Sequence, residues 1–327
     1  MVGQHSERSP MDHVRQRSIY WSRETETVVR NRYRAMLDAW GAEHAEHSIS
    51  TSQGQTFAIT AGNPELPTVI LLPGSMATSA MWLRTIDALT DRFHVAAVDI
   101  IGDAGFSAPS RPAMKSDAHA RWLDNVLDAL QVEDASFVGA SLGGWLSLDY
   151  AIRRSSRVHR LALLAPAGIG RIRPGFMFKT APLLFLGSWG HRKALGLDMG
   201  FSADDPRLED AAFLQLFETV RSGLIARMQP IPVFPDRQLR QLNMPVLTIV
   251  GGRDVIFDSH DTKRRVDANV EQSHVILLPD AGHGLVDTTT MIRAFLLGTG
   301  VPTGATHAAA LAVAADRDAA SGARRNR

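Results

Sequence analysis

The 327-residue chain contains no cysteine. Disulfides, thiolate nucleophiles and thiolate metal sites are thereby excluded, and the redox compartment leaves no mark on the sequence. An excess of charge of one sign is also missing: 35 Lys and Arg stand against 34 Asp and Glu, a formal net charge of +1. So balanced a chain has no global field to draw it to nucleic acid or to an anionic membrane surface. No apolar run approaches the ~20 residues of a membrane-spanning helix, and the most apolar short stretch, Pro182 to Trp189, falls far below it. Met1 to Pro10 is polar and mixed in charge, unlike the apolar centre of a secretory signal. A soluble cytoplasmic protein is expected. Hydrophobic residues at 45% and charged residues at 21% suit an ordinary globular chain.

What is present is an alternation of short apolar runs and helical patterns. Apolar residues from Thr25 to Trp40 recur at helical spacing. His47 to Thr60 reads as a hairpin turning at Gln53-Gly54. Six buried-strand runs follow, at Thr68–Leu72, Phe93–Asp99, Ala135–Val138, Val158–Leu164, Pro245–Val250 and His274–Leu278. Such runs suit a parallel sheet covered on both faces. Trp122, Leu123, Val126, Leu127 and Leu130 mark one crossover helix, and Met291, Ile292 and Phe295 the last one. The expected architecture is α/β: a mostly parallel central sheet flanked by helices, with an inserted helical cap. The expected divisions are a leader and helix over 1–46, core over 47–170, cap over 171–242, core over 243–298 and a disordered tail over 299–327. The cap segment is rich in apolar residues, among them Phe176, Phe178, Leu184, Phe185, Trp189, Phe213, Phe217, Leu224 and Met228.

Gly139-Ala-Ser141-Leu-Gly143 follows directly on a strand and precedes a helical pattern. In that context Gly-x-Ser-x-Gly reads as a sharp turn that projects a serine hydroxyl, with the Leu142 amide at a helix N-terminus. The plain alternative is a glycine-rich turn holding an ordinary serine. Gly251-Gly-Arg-Asp254 follows the strand ending at Val250, which puts a carboxylate on the same sheet edge; Asp258 competes for this place, and either could be a helix N-cap. Gly282-His283-Gly284 lies between the last strand and the last helix, the only one of 12 histidines so placed. Pro73-Gly74-Ser75-Met76 follows the first core strand and can lend an amide to an oxyanion hole, from Ser75 first and Met76 otherwise. Trp82 reads as core packing, while Met76, Trp145 and Phe185 are candidate substrate contacts.

These segments resemble the α/β-hydrolase superfamily from about Gln55 to Gly298, in its order Ser…Asp…His. Asp99-Ile-Ile-Gly102-Asp103-Ala-Gly105-Phe-Ser107 resembles that family's structural Asp-x-x-Gly-x-Gly-x-Ser loop, and the wording of Val98–Asp103 and Gly251–Asp258 is similar to bacterial carboxylesterases. There are two departures: one extra residue between the loop glycines, and Pro73-Gly74 where the family has His-Gly. The resemblance implies a serine esterase with Ser141 as nucleophile, His283 as base, Asp254 as its orienter, and the amides of Ser75 and Leu142 as oxyanion donors. It implies no metal and no organic cofactor; the apolar cap segment points to a small, largely apolar ester as substrate, and the balanced charge to no nucleic-acid or membrane partner. The sequence does not specify an oligomeric state. Lactone, thioester or carbon–carbon hydrolysis on the same residues stays open, as does a ligand-binding signalling role on this scaffold.

Overall fold

The computed structural model describes residues 18–173, 211–227 and 229–301, together with Gly175, Leu183, Gly190, Lys193, Gly196, Leu197, Met199 and Gly200. Phe176, Phe178, Leu184, Phe185, Trp189 and Met228, the leader before Ser18 and the tail beyond Val301 lie outside the described residues.

The chain opens with α1 (Arg23–Ala39), whose Ser22 cap accepts a hydrogen bond from the Thr25 amide. Val29, Tyr33 and Leu37, four residues apart, are its buried stripe. The hairpin β1 (Ala45–Thr51) and β2 (Gly54–Ala61) follows. Then come β3 (Thr68–Leu72), a short 3-10 turn (Ser79–Trp82), α2 (Leu83–Leu89), β4 (His94–Val98), α3 (Ala118–Ala129), β5 (Ala135–Ala140), α4 (Leu142–Arg153) and β6 (Val158–Leu164). After the partly described segment come α5 (Ala211–Gly223), α6 (Asp236–Leu239), β7 (Val246–Gly251), α7 (Ser259–Asn269), β8 (Ser273–Leu278) and α8 (Thr289–Leu296).

The eight strands form one sheet in the order β1-β2-β4-β3-β5-β6-β7-β8. The pairs β1–β2 and β2–β4 are antiparallel; from β4 to β8 every pair is parallel. The expected mostly parallel sheet flanked by helices is the one observed. Its strands read as unbroken apolar runs because both faces are covered. Ile70 and Leu72 of β3 join a core with Phe137, Trp122 of α3 and Leu148 of α4. Val69 and Leu71 face the opposite way, into a core with Ile86 of α2 and Met291, Ile292 and Phe295 of α8. Parallel order also sends the turns that follow β3, β5, β7 and β8 to one edge of the sheet.

Among the described residues, no helix is long and apolar enough to cross a membrane. Of the cap expected over 171–242, α5 has two faces. Leu216 and Val220 pack against Val29, Tyr33 and Leu37 of α1, while Phe213 and Phe217, with ring centroids 6.3 Å apart, line a cavity.

His119 of α3 is 1% exposed, edge-on to Trp145. Its Nδ1 has no partner among the described residues. Burial, reinforced by the charges of Arg227 and Arg153, pushes its pKa down to about 4. An unfolded chain protonates this imidazole near ~6.5, so its contribution to stability is complete above that pH and is lost as pH falls toward the folded value. Between pH 7 and pH 5 the loss is about 2 kcal/mol. Urea unfolding of His119→Phe should therefore show a shallower acid loss than the parent by about that amount; equal losses in the two proteins would refute the assignment.

Candidate active site

At the end of β5 the strand turns into α4 through one residue. Ser141 has φ 49° and ψ −107°, a conformation that side chains rarely adopt. It is held by its neighbours: the Ser141 amide donates to the Leu164 carbonyl at 2.8 Å, and its carbonyl accepts from the Trp145 and Ala167 amides at 3.0 and 3.1 Å. The glycines of the motif are there for space. A Cβ at Gly139 would stand 2.3 Å from the Gly143 oxygen, and one at Gly143 would stand 2.2 Å from the Leu72 oxygen. Strand, helix and the β3 end meet too closely for any larger residue.

His283 reaches this serine from the loop between β8 and α8. Its Nε2 lies 3.1 Å from Ser141 Oγ, and its Nδ1 lies 2.8 Å from Asp254 Oδ2. The neighbouring carboxylate favours the tautomer with the proton on Nδ1, which leaves Nε2 to accept from the hydroxyl. Asp254 is 1% exposed. Its other oxygen accepts the Ile256 and Phe257 amides at 2.7 and 3.0 Å, so the carboxylate is held in place by backbone. The Phe257 ring stands edge-on to the imidazole at 5.4 Å. The two loops are tied together by hydrogen bonds from Arg253 N to Ala281 O and from Gly252 N to Leu278 O. From the segment between β6 and α5, the Met199 carbonyl accepts the Gly284 amide at 2.9 Å.

Asp258, the rival carboxylate, is occupied elsewhere. It caps α7, accepting from the Asp261 amide, and it pairs with Arg173. Of the two candidate oxyanion amides after β3, Met76 N–H is committed to Asp103 Oδ1 at 2.8 Å. The amides of Ser75 and Leu142 have no acceptor among the described residues. Gly74 runs directly beside the serine, where an added Cβ would lie 3.7 Å from Ser141 Cβ.

Ser75, Ser141 and His283 open on a cavity of about 300 Å³ whose walls include Met81, Trp82, Leu164, Phe213, Phe217 and Leu285. Two expected substrate contacts are corrected. Trp145 does not line this cavity: it is 1% exposed, its Nε1 donates to the Pro232 carbonyl, and its ring stacks on Phe234. Met76 does not line it either, because it packs on the cluster around Tyr33 and Phe57. Phe185 is outside the described residues. Trp82 is the core residue expected, 3% exposed, and it also forms part of the cavity wall. Sequence reasoning missed the lining residues Met81 and Leu285 and the bracing carboxylate of Asp103. Only the last left a signal, as the extra residue in the loop after Asp99. No group of three potential metal ligands occurs among the described residues.

A family model described as alpha/beta hydrolase fold matches residues 67–192. A Bacillus subtilis protein named uncharacterized carboxylesterase nap is 30% identical over 77% of this chain and 85% of its own. Carboxylesterase YbfK of the same organism is also 30% identical, over 77% of this chain and 86% of its own. The crystal structure of naproxen esterase from Bacillus subtilis superposes with a TM-score of 0.72 at 28% identity, covering 82% of this chain and 95% of that one. With this sheet and this coverage, the chain belongs to the α/β-hydrolase family, as a carboxylesterase-like hydrolase.

Proposed function

We propose that the protein hydrolyses carboxylic esters of small, largely apolar substrates through an acyl-enzyme on Ser141. The observation that carries this is the continuous hydrogen-bonded chain Ser141–His283–Asp254, with lengths of 3.1 and 2.8 Å, at the floor of an apolar cavity. Neutral His283 takes the hydroxyl proton through Nε2 as Ser141 Oγ attacks the acyl carbonyl. Asp254 holds the Nδ1–H tautomer and stabilises the imidazolium that forms. Charge develops on the carbonyl oxygen, where the uncommitted amides of Ser75 and Leu142 receive it. The imidazolium returns its proton to the leaving alcohol. A water activated by the same imidazole then releases the acid and restores the serine.

Labelling by a fluorophosphonate probe and turnover of a short-chain nitrophenyl ester should both disappear in Ser141→Ala. Persistent turnover in that variant would remove the serine from the reaction. A chain that binds apolar esters tightly yet never turns them over would instead support the signalling alternative.

The two acidic candidates separate in the same assay. Asp254→Asn should lower kcat by about 10⁴-fold, because the wrong tautomer is then favoured. Asp258→Asn, which disturbs a helix cap, should change kcat by less than about tenfold. The reverse ranking would reassign the orienting carboxylate.

A further inference from the structure

Asp103 is a buried acid that the reaction above does not use. It is 2% exposed and sits in the loop after β4. Its Oδ1 accepts the Met76 amide and the Ala104 amide, each at 2.8 Å, and its Oδ2 accepts the Ser75 hydroxyl at 3.2 Å. One carboxylate thus grips Ser75 by its side chain and Met76 by its backbone.

The segment it grips is under strain. The Ala77 amide donates to the Gly74 carbonyl at 3.2 Å, closing a four-residue turn with Met76 at its third position. Met76 has φ 61°, in the left-handed region where a turn of this kind normally has glycine. A flip of the Ser75–Met76 peptide is the usual way for such a turn to relieve a side chain. Here a flip would withdraw the Met76 N–H from Asp103 and point the Ser75 carbonyl at the carboxylate instead. The charge therefore opposes the flip twice, by losing a charge-assisted hydrogen bond and by electrostatic repulsion.

Burial raises the Asp103 carboxyl above the ordinary carboxylate range, and its amide hydrogen bonds and the positive charge of Arg227 act against that rise. Arg111 staples the same loop to the chain leaving α5, donating to the Gly102 carbonyl at 2.7 Å and the Ile225 carbonyl at 2.6 Å.

We propose that Asp103 is a positioning residue for the oxyanion hole: its carboxylate holds Ser75 by the hydroxyl and fixes the following peptide by the Met76 amide, so that the Ser75 amide, which belongs to the Gly74–Ser75 peptide, stays aimed at the acyl oxygen. The inference rests on the esterase reading, in which that amide is a donor. It also joins the two departures from the family pattern. Where His-Gly is replaced by Pro73-Gly74, the lengthened loop after Asp99 supplies a carboxylate that braces the turn from the other side.

The test uses the full-length enzyme with a nitrophenyl ester and with a trifluoromethyl ketone, which forms an oxyanion on the serine. Asp103→Ala should lower kcat by about 10²-fold, the order seen when one oxyanion donor is lost. KM should stay within about threefold, since the amide acts on the transition state. Ketone affinity should weaken in step with kcat/KM. Asp103→Asn, which can still accept from Met76, should lose less. Adding Met76→Gly to either variant should restore part of kcat, because glycine holds the left-handed turn without help. If Asp103→Ala does not fold, Asp103→Asn with and without Met76→Gly decides. Unchanged kcat in the Asp103 variants, a loss appearing mainly in KM, or no rescue by glycine overturns the inference. Ser141→Ala run alongside keeps the two failures apart: turnover that survives in it defeats the esterase reading, whatever Asp103 does.

Discussion

A serine held at positive φ between β5 and α4 is the constraint around which the site is arranged. Such a conformation persists only where the surroundings over-determine it. Here the surroundings are the end of β6, which accepts the Ser141 amide, and the first turn of α4, which donates back to its carbonyl. The close approach of Gly139 and Gly143 removes the room into which the turn would otherwise relax. The hydrophobic burial of the central strands on both faces holds these neighbours still. The local strain is thus carried by the whole sheet, and the hydroxyl projects from a rigid edge.

Parallel strand order does the rest of the assembly. The turns after β3, β7 and β8 reach the same edge as the serine, so residues separated by 142 positions come within 3.1 Å. Asp254 divides its two oxygens, one to backbone amides and one to the imidazole. A carboxylate tethered in this way gives the imidazole one orientation. The same logic recurs after β4, where Asp99 accepts from the Ser79 amide, the Phe106 amide and the Tyr33 hydroxyl, and burial pushes its carboxyl up to about 6. Buried carboxylates on this side of the molecule serve as anchors for backbone and for α1.

Helix α1 matters for the cavity although it touches none of the reacting groups. It takes the Leu216–Val220 face of α5, which leaves Phe213 and Phe217 on the cavity side. The backbone pairing of Tyr20 with Leu224 and the Arg111 staple secure the chain that leaves α5. The apolar wall opposite Ser141 is therefore set by contacts from the N-terminal helix and from the loop after β4.

The strand runs, the crossover helices and the serine turn were legible in the amino-acid order, because strands buried on both faces leave continuous apolar runs and a tight elbow demands glycines at set spacing. The histidine was legible from its glycine neighbours. Asp254 was preferred to Asp258 in the amino-acid order although both follow the same strand; in the fold His283 bonds Asp254, while Asp258 is taken as the cap of helix α7. Trp145 was misread because nearness to Ser141 in the chain does not say which side of a fully buried helix an indole leaves from. The commitment of the Met76 amide to Asp103 was invisible for the same reason: it is a hydrogen bond between two loops far apart in the chain, and only the packing of the folded sheet edge brings them together.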